Sequence, residues 1–203
     1  MSKQRTAPGE LERVRRFVNT RQIGHGTDLL GDTNGLAEWF AGEGLAPGEG
    51  LALGEGLAPG EGLAPGEVRA TRADLTRAIE LREALRAVLV AHNIGESAPA
   101  EASATLDAIA RRARLRLHFE GDGGASLVPD AAGVDGALGR LLAIVHDSIA
   151  QGTWTRLKAC RDESCAWAFY DHTKNRSGAW CSMERCGNRA KARAHRERHA
   201  PAS

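Results

Sequence analysis

The 203-residue chain has room for one full-sized core and a smaller appendage, and its 42% hydrophobic and 26% charged residues sit close to globular averages, which excludes wholesale disorder. With no apolar run of about 18 residues and no apolar stretch near the start to serve as a signal peptide, the expectation is a cytoplasmic protein with no membrane partner. The net charge of +1 conceals an asymmetry: residues 154–203 carry 11 Lys and Arg against 5 Asp and Glu, a balance of +6, and the remainder carries −5. A basic tail on an acidic body suggests a polyanion partner through counterion release from phosphates, although a solvated Arg-rich surface would give the same balance.

In chain order, Leu11 to Thr20 reads as a short helix or strand, and Asp32 to Ala41 as a helix with Leu36, Trp39 and Phe40 on one side. From residue 42 the hexapeptide GEGLA(P/L) runs four times and continues to residue 67. Repeats that stack into solenoids are longer than this, and dense Gly and Pro oppose helix and strand interiors, so residues 42–67 are expected to be a flexible acidic insert. Thr71 with Asp74 three residues on is an N-cap signature for a helix carrying Leu75, Ala78, Ile79, Leu85, Val88 and Leu89 and ending near Gly95.

A further helix is expected to begin around Ser97 to Pro99 and to bury Leu106 and Ile109. Leu115, Leu117 and Phe119 then alternate as in a strand, Gly121 to Gly124 permit a turn, and Ser126 to Val128 return. A last apolar helix from about Val134 to Ala150 carries Leu138, Leu141, Leu142, Val145 and Ile149. The predicted fold class is α+β: a mainly helical domain over residues 1–150 with a small β-hairpin, followed by a small module over residues 154–203. This body contains no phosphate-binding loop, dinucleotide fingerprint or nucleophile elbow, and His25, His92, His118 and His146 are scattered. No catalytic residue is nominated, and the chain is not expected to be an enzyme.

All four cysteines fall in the module, as Cys160, four residues, Cys165, fifteen residues, Cys181, four residues, Cys186. Two close pairs separated by a hairpin-length segment suit one tetrahedral Zn2+ held by four thiolates, with no open position for catalysis. Residues 166–171 read as a strand, 172–178 as a polar turn with His172 facing solvent, and 179–181 as a returning strand. After Cys186 no helix breaker occurs before Pro201, so this ligand is expected at a helix start, where the helix dipole favours thiolate. Arg161, Arg185 and Arg189 are candidates to offset the −2 charge of a zinc tetrathiolate. Apparent metal-binding energies of ~10–16 kcal/mol in zinc-finger peptides make the metal the expected main source of the module's stability. Of Trp154, Trp167 and Trp180, two are expected in its core.

The stretch CRDESCAWAFYDHTKNRSGAWCSMERCGNRAKARAHRER resembles the CGNR zinc-finger family, through Cys186-Gly187-Asn188-Arg189, Phe169-Tyr170-Asp171, Asn175-Arg176-Ser177 and Trp180 to Met183. Upstream, FVNT at Phe17 to Thr20 with Asp28, Leu29 and Leu30, and LREALRAVL at Leu81 to Leu89, are similar to the ABATE-type domain, a stress-responsive regulatory unit that usually precedes this finger. The resemblance implies a bacterial transcription regulator whose zinc module contacts DNA and whose amino-terminal domain senses an effector or mediates assembly.

From the residues themselves, the candidate nucleic-acid contacts are Lys174 and Arg176 in the turn, and Arg189, Lys191, Arg193, Arg196 and Arg198 on the terminal helix, where Arg189, Arg193 and Arg196 share a face. Asn188 could read a base, but an Asn beside a metal knuckle more often bonds its own backbone. The rival reading is a zinc-stabilised RNA-binding or protein-interaction adaptor. A small-molecule effector and a homodimer are both compatible with the sequence.

Overall fold

A computed structural model describes residues 6–45, 70–121 and 123–199. Beyond its first residues the hexapeptide insert lies outside them, while Gly42 closes a helix and Leu45 is buried. In chain order the elements are α1 (Leu11–Val18), β1 (Arg21–Gln22), β2 (Thr27–Asp28), α2 (Thr33–Gly42), α3 (Arg72–Ile94), α4 (Ala100–Arg112), β3 (Leu115–Phe119), β4 (Ala125–Pro129), α5 (Gly133–Ala150), β5 (Leu157–Ala159), β6 (Ala168–Tyr170) and α6 (Asn188–Arg198). The strands form three separate antiparallel pairs, β1–β2, β3–β4 and β5–β6. The fold is α+β, with helices dominant.

The ambiguous segment at Leu11 is the helix α1, which buries Leu11, Val14, Phe17 and Val18. Asp32 caps α2 by accepting from Gly35 N at 2.8 Å. Gly35 is required there, because a Cβ would stand 2.2 Å from the Leu29 carbonyl oxygen. Thr71 and Asp74 form the reciprocal capping box at the start of α3, and Gly95 ends it in the left-handed region at φ 78°. Helix α3 is the centre of the body, packing against α1, α2, α4, α5 and β5.

Helices α4 and α5 follow the expected periodicity, with Ile109, Leu138, Leu141, Leu142 and Val145 buried. Ile149, in the last turn of α5, departs from it at 56% exposure. The β3–β4 hairpin also forms as expected, in the register Leu117↔Leu127, but its apolar face is only partly covered. Gly139 of α5 lets Leu115 and Pro129 approach closely, whereas Leu117 and Phe119 overhang the helix at 52% and 75% exposure. Alternation specified a strand, and packing decided how much of its face is buried.

The module does not stand apart from the body. Trp154, Leu157, Ala159, Ala168 and Tyr170 belong to the same hydrophobic cluster as Phe17, Leu85 and Leu141. Burial of each large side chain contributes about 1.5–3 kcal/mol. A polar seam surrounds this contact. Asn19 donates to Ala168 O at 2.9 Å and accepts from Ala168 N at 2.8 Å, pairing with the outer edge of β6 as a neighbouring strand would. Arg86, buried in α3, donates to Ala166 O at 2.9 Å and to Val18 O at 2.6 Å, while its Nε is held by Glu83 at 3.0 Å. The Asn93 side-chain amide donates to Ala159 O at 2.6 Å and Ala179 O at 2.9 Å, and the Asn93 backbone carbonyl accepts from Arg161. Burial pushes the His92 pKa below its ordinary value, and the ring packs edge-on to Trp154 and bonds the Leu157 carbonyl through Nδ1 at 2.9 Å.

Arg82 supports the seam from behind, with a bidentate pair to Asp28 and a bond to the Thr20 hydroxyl. Phe17-Val18-Asn19-Thr20 therefore has a physical division: two core residues, one strand-edge partner and one acceptor for a buried arginine. Asn19→Ala is expected to leave both Ala168 polar groups unpaired and to lower global stability by about 2–4 kcal/mol. This would appear as a lower urea midpoint at unchanged slope. A loss under about 0.5 kcal/mol would contradict the docking described.

Candidate metal centre

The metal site grows from a hairpin whose loop is a cysteine knuckle. Strands β5 and β6 pair as Leu157↔Tyr170, Lys158↔Phe169 and Ala159↔Ala168, so Cys160 and Cys165 occupy the connection between them. The expected partner of residues 168–170 was the segment 179–181, and the structure corrects this. Residues 179–181 form no ladder, although Ala179 O accepts from Arg161 N at 3.1 Å. Leu-Lys-Ala, wholly buried just before the first cysteine, is too short to announce itself as a strand but supplies the edge that β6 needs.

The first knuckle is wound around Asp162. Its carbonyl accepts from Cys165 N and Ala166 N, both at 2.8 Å, and its carboxylate accepts from Ser164 N at 3.2 Å and Ser164 Oγ at 2.6 Å. This winding drives Ala166 into the left-handed region at φ 42°, where the bond from Arg86 to its carbonyl helps hold it. The second pair is positioned by a π-helical turn, Met183–Gly187, capped at Ser182 and running directly into α6. Cys186 thus lies at a helix start, as its sequence context predicts.

The four Sγ atoms lie within 4.8 Å of one another, and among the described residues this is the cluster of metal-ligating type. Cys165 to Cys181 is 3.6 Å and Cys181 to Cys186 is 3.8 Å. A tetrahedron with zinc–sulfur bonds of ~2.3 Å has sulfur–sulfur edges of about 3.8 Å, which these two separations match. All four are free cysteines, and these separations far exceed the ~2.05 Å of a disulfide. Four such groups cannot all ionise without a cation. Hydrogen bonds from Cys160 and Cys181 pull Cys165 down to about 4, and the same contacts, with burial, push Cys160 and Cys181 up. One structural Zn2+ held by Cys160, Cys165, Cys181 and Cys186 fits the donor set, the distances and the charge.

The turn between the pairs is fixed by a buried ion pair. Lys158 Nζ meets Asp171 Oδ2 at 2.9 Å and also donates to the carbonyls of Arg176 and Gly178. Asp171 accepts further bonds from Thr173 N, Thr173 Oγ1 and Gly178 N. Burial alone would push its carboxyl up, but the bonds from Lys158, Thr173 and Gly178 hold it well below the usual carboxylate range. Gly178 is packed so closely that a Cβ would stand 2.7 Å from Asp171 Oδ1.

Of the candidate nucleic-acid residues, Lys174 and Arg176 are exposed in this turn, where Arg176 adopts φ 52° and bonds Thr155 Oγ1 at 3.2 Å. Lys191, Arg193, Arg196 and Arg198 are exposed on α6, which buries no residue. Arg189 turns back onto the metal centre, 3.0 Å from Asp162 Oδ2 and 3.6 Å from Cys186 Sγ. Asn188 bonds the Glu184 carbonyl at 3.1 Å. His172 is exposed in the turn, against Tyr170. Trp154 is buried, whereas Trp167 and Trp180 are half-buried, one fewer core tryptophan than expected, because the body supplies much of the module's core. Asn19, Arg86 and Asn93 escaped functional attention in the sequence, since they sit far from the cysteines along the chain.

Residues 12–152 match the family model ABATE, described as "Putative stress-induced transcription regulator". The chain belongs to the ABATE family. Residues 156–199 match the CGNR zinc finger, which spans the four cysteines and all of α6. Comparison with curated proteins finds no match. Among the described residues no helix is long and apolar enough to cross a membrane.

The ABATE body shares its core with β5 and β6 of the CGNR finger and bonds the first knuckle through Arg86, so the module is expected to divide into a part held by the body and a part held mainly by zinc. Reduced protein is expected to contain one zinc per chain. Its removal by chelation should expose the amides of residues 181–199 to hydrogen exchange while β5 and β6 stay protected; equal loss of protection in both would refute this division. For Asp171, a depressed folded pKa contributes stability that is full above the unfolded value of about 3.9 and is lost as pH falls below it. Asp171→Asn should flatten that acid limb and lower stability at neutral pH by roughly 3–5 kcal/mol, because Lys158 is left buried and unpaired. Urea titrations from pH 7 to pH 3 measure both effects.

Proposed function

We propose that this zinc-binding ABATE-family protein is a DNA-binding transcriptional regulator acting in the cytoplasm, in which the CGNR finger contacts duplex DNA and the body receives a stress signal, an effector or a second subunit. The observation that carries the reading is a fully solvated cationic helix anchored at its first turn to a metal ligand, Cys186. Lys191, Arg193, Arg196 and Arg198 are exposed along it, and none of them has an acidic partner among the described ion pairs. At 3.6 residues per turn, Arg193 and Arg196 fall on one side of α6 and Lys191 and Arg198 on the opposite side. A helix lying in a major groove has phosphates at both walls, and cations on opposed sides suit that placement better than a single stripe would. The family description is consistent with this role, and no catalytic step is part of it.

The rival adaptor reading separates cleanly in solution. Zinc-loaded protein should bind duplex DNA with a slope of log K against log salt of about −3.6, about −0.9 for each of four phosphates engaged. Arg193→Ala should weaken binding and lower the magnitude of the slope by about 0.9, and Cys165→Ser should abolish binding. Equal affinity for RNA, or none for either polymer, would instead favour an RNA-associated or protein-interaction adaptor. Selection of bound genomic fragments tests polymer class and sequence preference together.

A further inference from the structure

We propose that Arg189, the last residue of the Cys186-Gly187-Asn188-Arg189 signature, is a positioning residue that latches α6 to the first zinc knuckle and is unavailable to phosphate. The DNA arm of the argument rests on the function proposed above; the metal arm does not.

Three groups face the Arg189 guanidinium. Nε lies 3.0 Å from Asp162 Oδ2, Nη2 lies 3.6 Å from Cys186 Sγ, and Nη1 lies 3.5 Å from Ser164 Oγ. The asymmetry in exposure is informative: the Arg189 side chain is half exposed, but the Asp162 side chain is only 4% exposed. Asp162 Oδ1 is taken by Ser164, and Arg189 is the cation on Oδ2. A buried carboxylate beside four thiolates and a divalent ion would face a net negative cage if that arginine left. Recruiting Arg189 to a phosphate would strand Asp162.

The same contacts orient the helix. Among the described residues, Arg189 makes the hydrogen bonds and ion pairs that join an α6 side chain to anything outside residues 183–198. Asp162 and Ser164 belong to the knuckle that Arg86 ties to the body through Ala166. The path from body to helix therefore runs from α3 to the first knuckle, and from there through the metal and through Arg189 to α6. The other two candidate cations are employed differently: Arg161 donates to Asn93 O, and Arg185 is exposed in the π-helical turn.

The test uses full-length zinc protein and the variants Arg189→Gln and Asp162→Asn, with Arg185→Gln as a neighbouring charge control. Both test variants should lose zinc to a chelator about 10–100-fold more readily than wild type, the usual cost of removing a group that orients a metal ligand. Both should shift the sulfur-to-cobalt charge-transfer band of the cobalt-substituted protein, and Arg185→Gln should do neither. Both should weaken duplex binding by similar factors with the salt slope unchanged. Arg189→Lys, which keeps the charge but not the fork, should recover only part of the zinc retention.

The latch is refuted if Asp162→Asn leaves zinc retention and the cobalt spectrum untouched. It is equally refuted if Arg189→Gln lowers the magnitude of the salt slope by about 0.9 at unchanged zinc retention, which is the signature of a phosphate contact. Should wild type bind no DNA, the function proposed above fails, while zinc retention and the cobalt band still decide the latch. Should Asp162→Asn prove unstable, the Arg189→Gln and Arg189→Lys pair carries the same comparison.

Discussion

A short hairpin can be buried only if the polar groups along its outer edge find partners, and in this protein the partners are side chains of another part of the chain. Ala168 meets Asn19 through both its N–H and its C=O, and the Ala166 carbonyl, in a strained backbone conformation, meets Arg86. An unpaired buried amide costs about 1–3 kcal/mol, so these contacts decide whether β5 and β6 can share a core with α1 and α3. The metal centre, the turn and α6 are all mounted on that hairpin.

The mounting divides the work of holding the module. Leu157, Ala159, Ala168 and Tyr170 are fixed by the common hydrophobic core. The 172–178 turn is fixed by the Lys158–Asp171 pair, buried and fully hydrogen-bonded, a geometry in which an ion pair orders the backbone even where its net energy is small. The cysteine cage closes the distance between the first knuckle and the π-helical turn, and α6 extends from the far side of that cage without burying a residue of its own. Burial thus decreases outward from α3 to α6, and the helix that buries no residue is the one bearing the cations.

The family signatures take on a common meaning in this geometry. Asn19 and Thr20 of the amino-terminal signature, and Arg82, Glu83 and Arg86 of the α3 signature, are engaged in or behind the seam. Asp171 and Gly178 organise the turn of the finger, and Cys186 and Arg189 close its metal centre. Motifs more than 60 residues apart in sequence meet across one buried surface, as the Arg86 to Ala166 bond shows with a separation of 80.

Much of this was readable from local chemistry. Cysteine spacing specified a tetrathiolate, Thr71 with Asp74 specified the start of α3, apolar periodicity specified α5, and charge segregation specified a basic tail, because each signal resides within a few turns of chain. The β6 partner was misread because three buried residues carry no periodicity, and the exposure of Leu117 and Phe119 was missed because alternation reports a strand's faces and not what covers them. The sequence offered Arg189, with Arg161 and Arg185, as a partner for the thiolate charge without choosing among them, and its pairing with Asp162 and the polar docking by Asn19, Arg86 and Asn93 lay beyond sequence reasoning. Nothing local distinguishes a solvated arginine or asparagine from a buried one. Only the folded chain brings a carboxylate, a thiolate or a strand edge within reach, and that proximity decides which role each side chain takes.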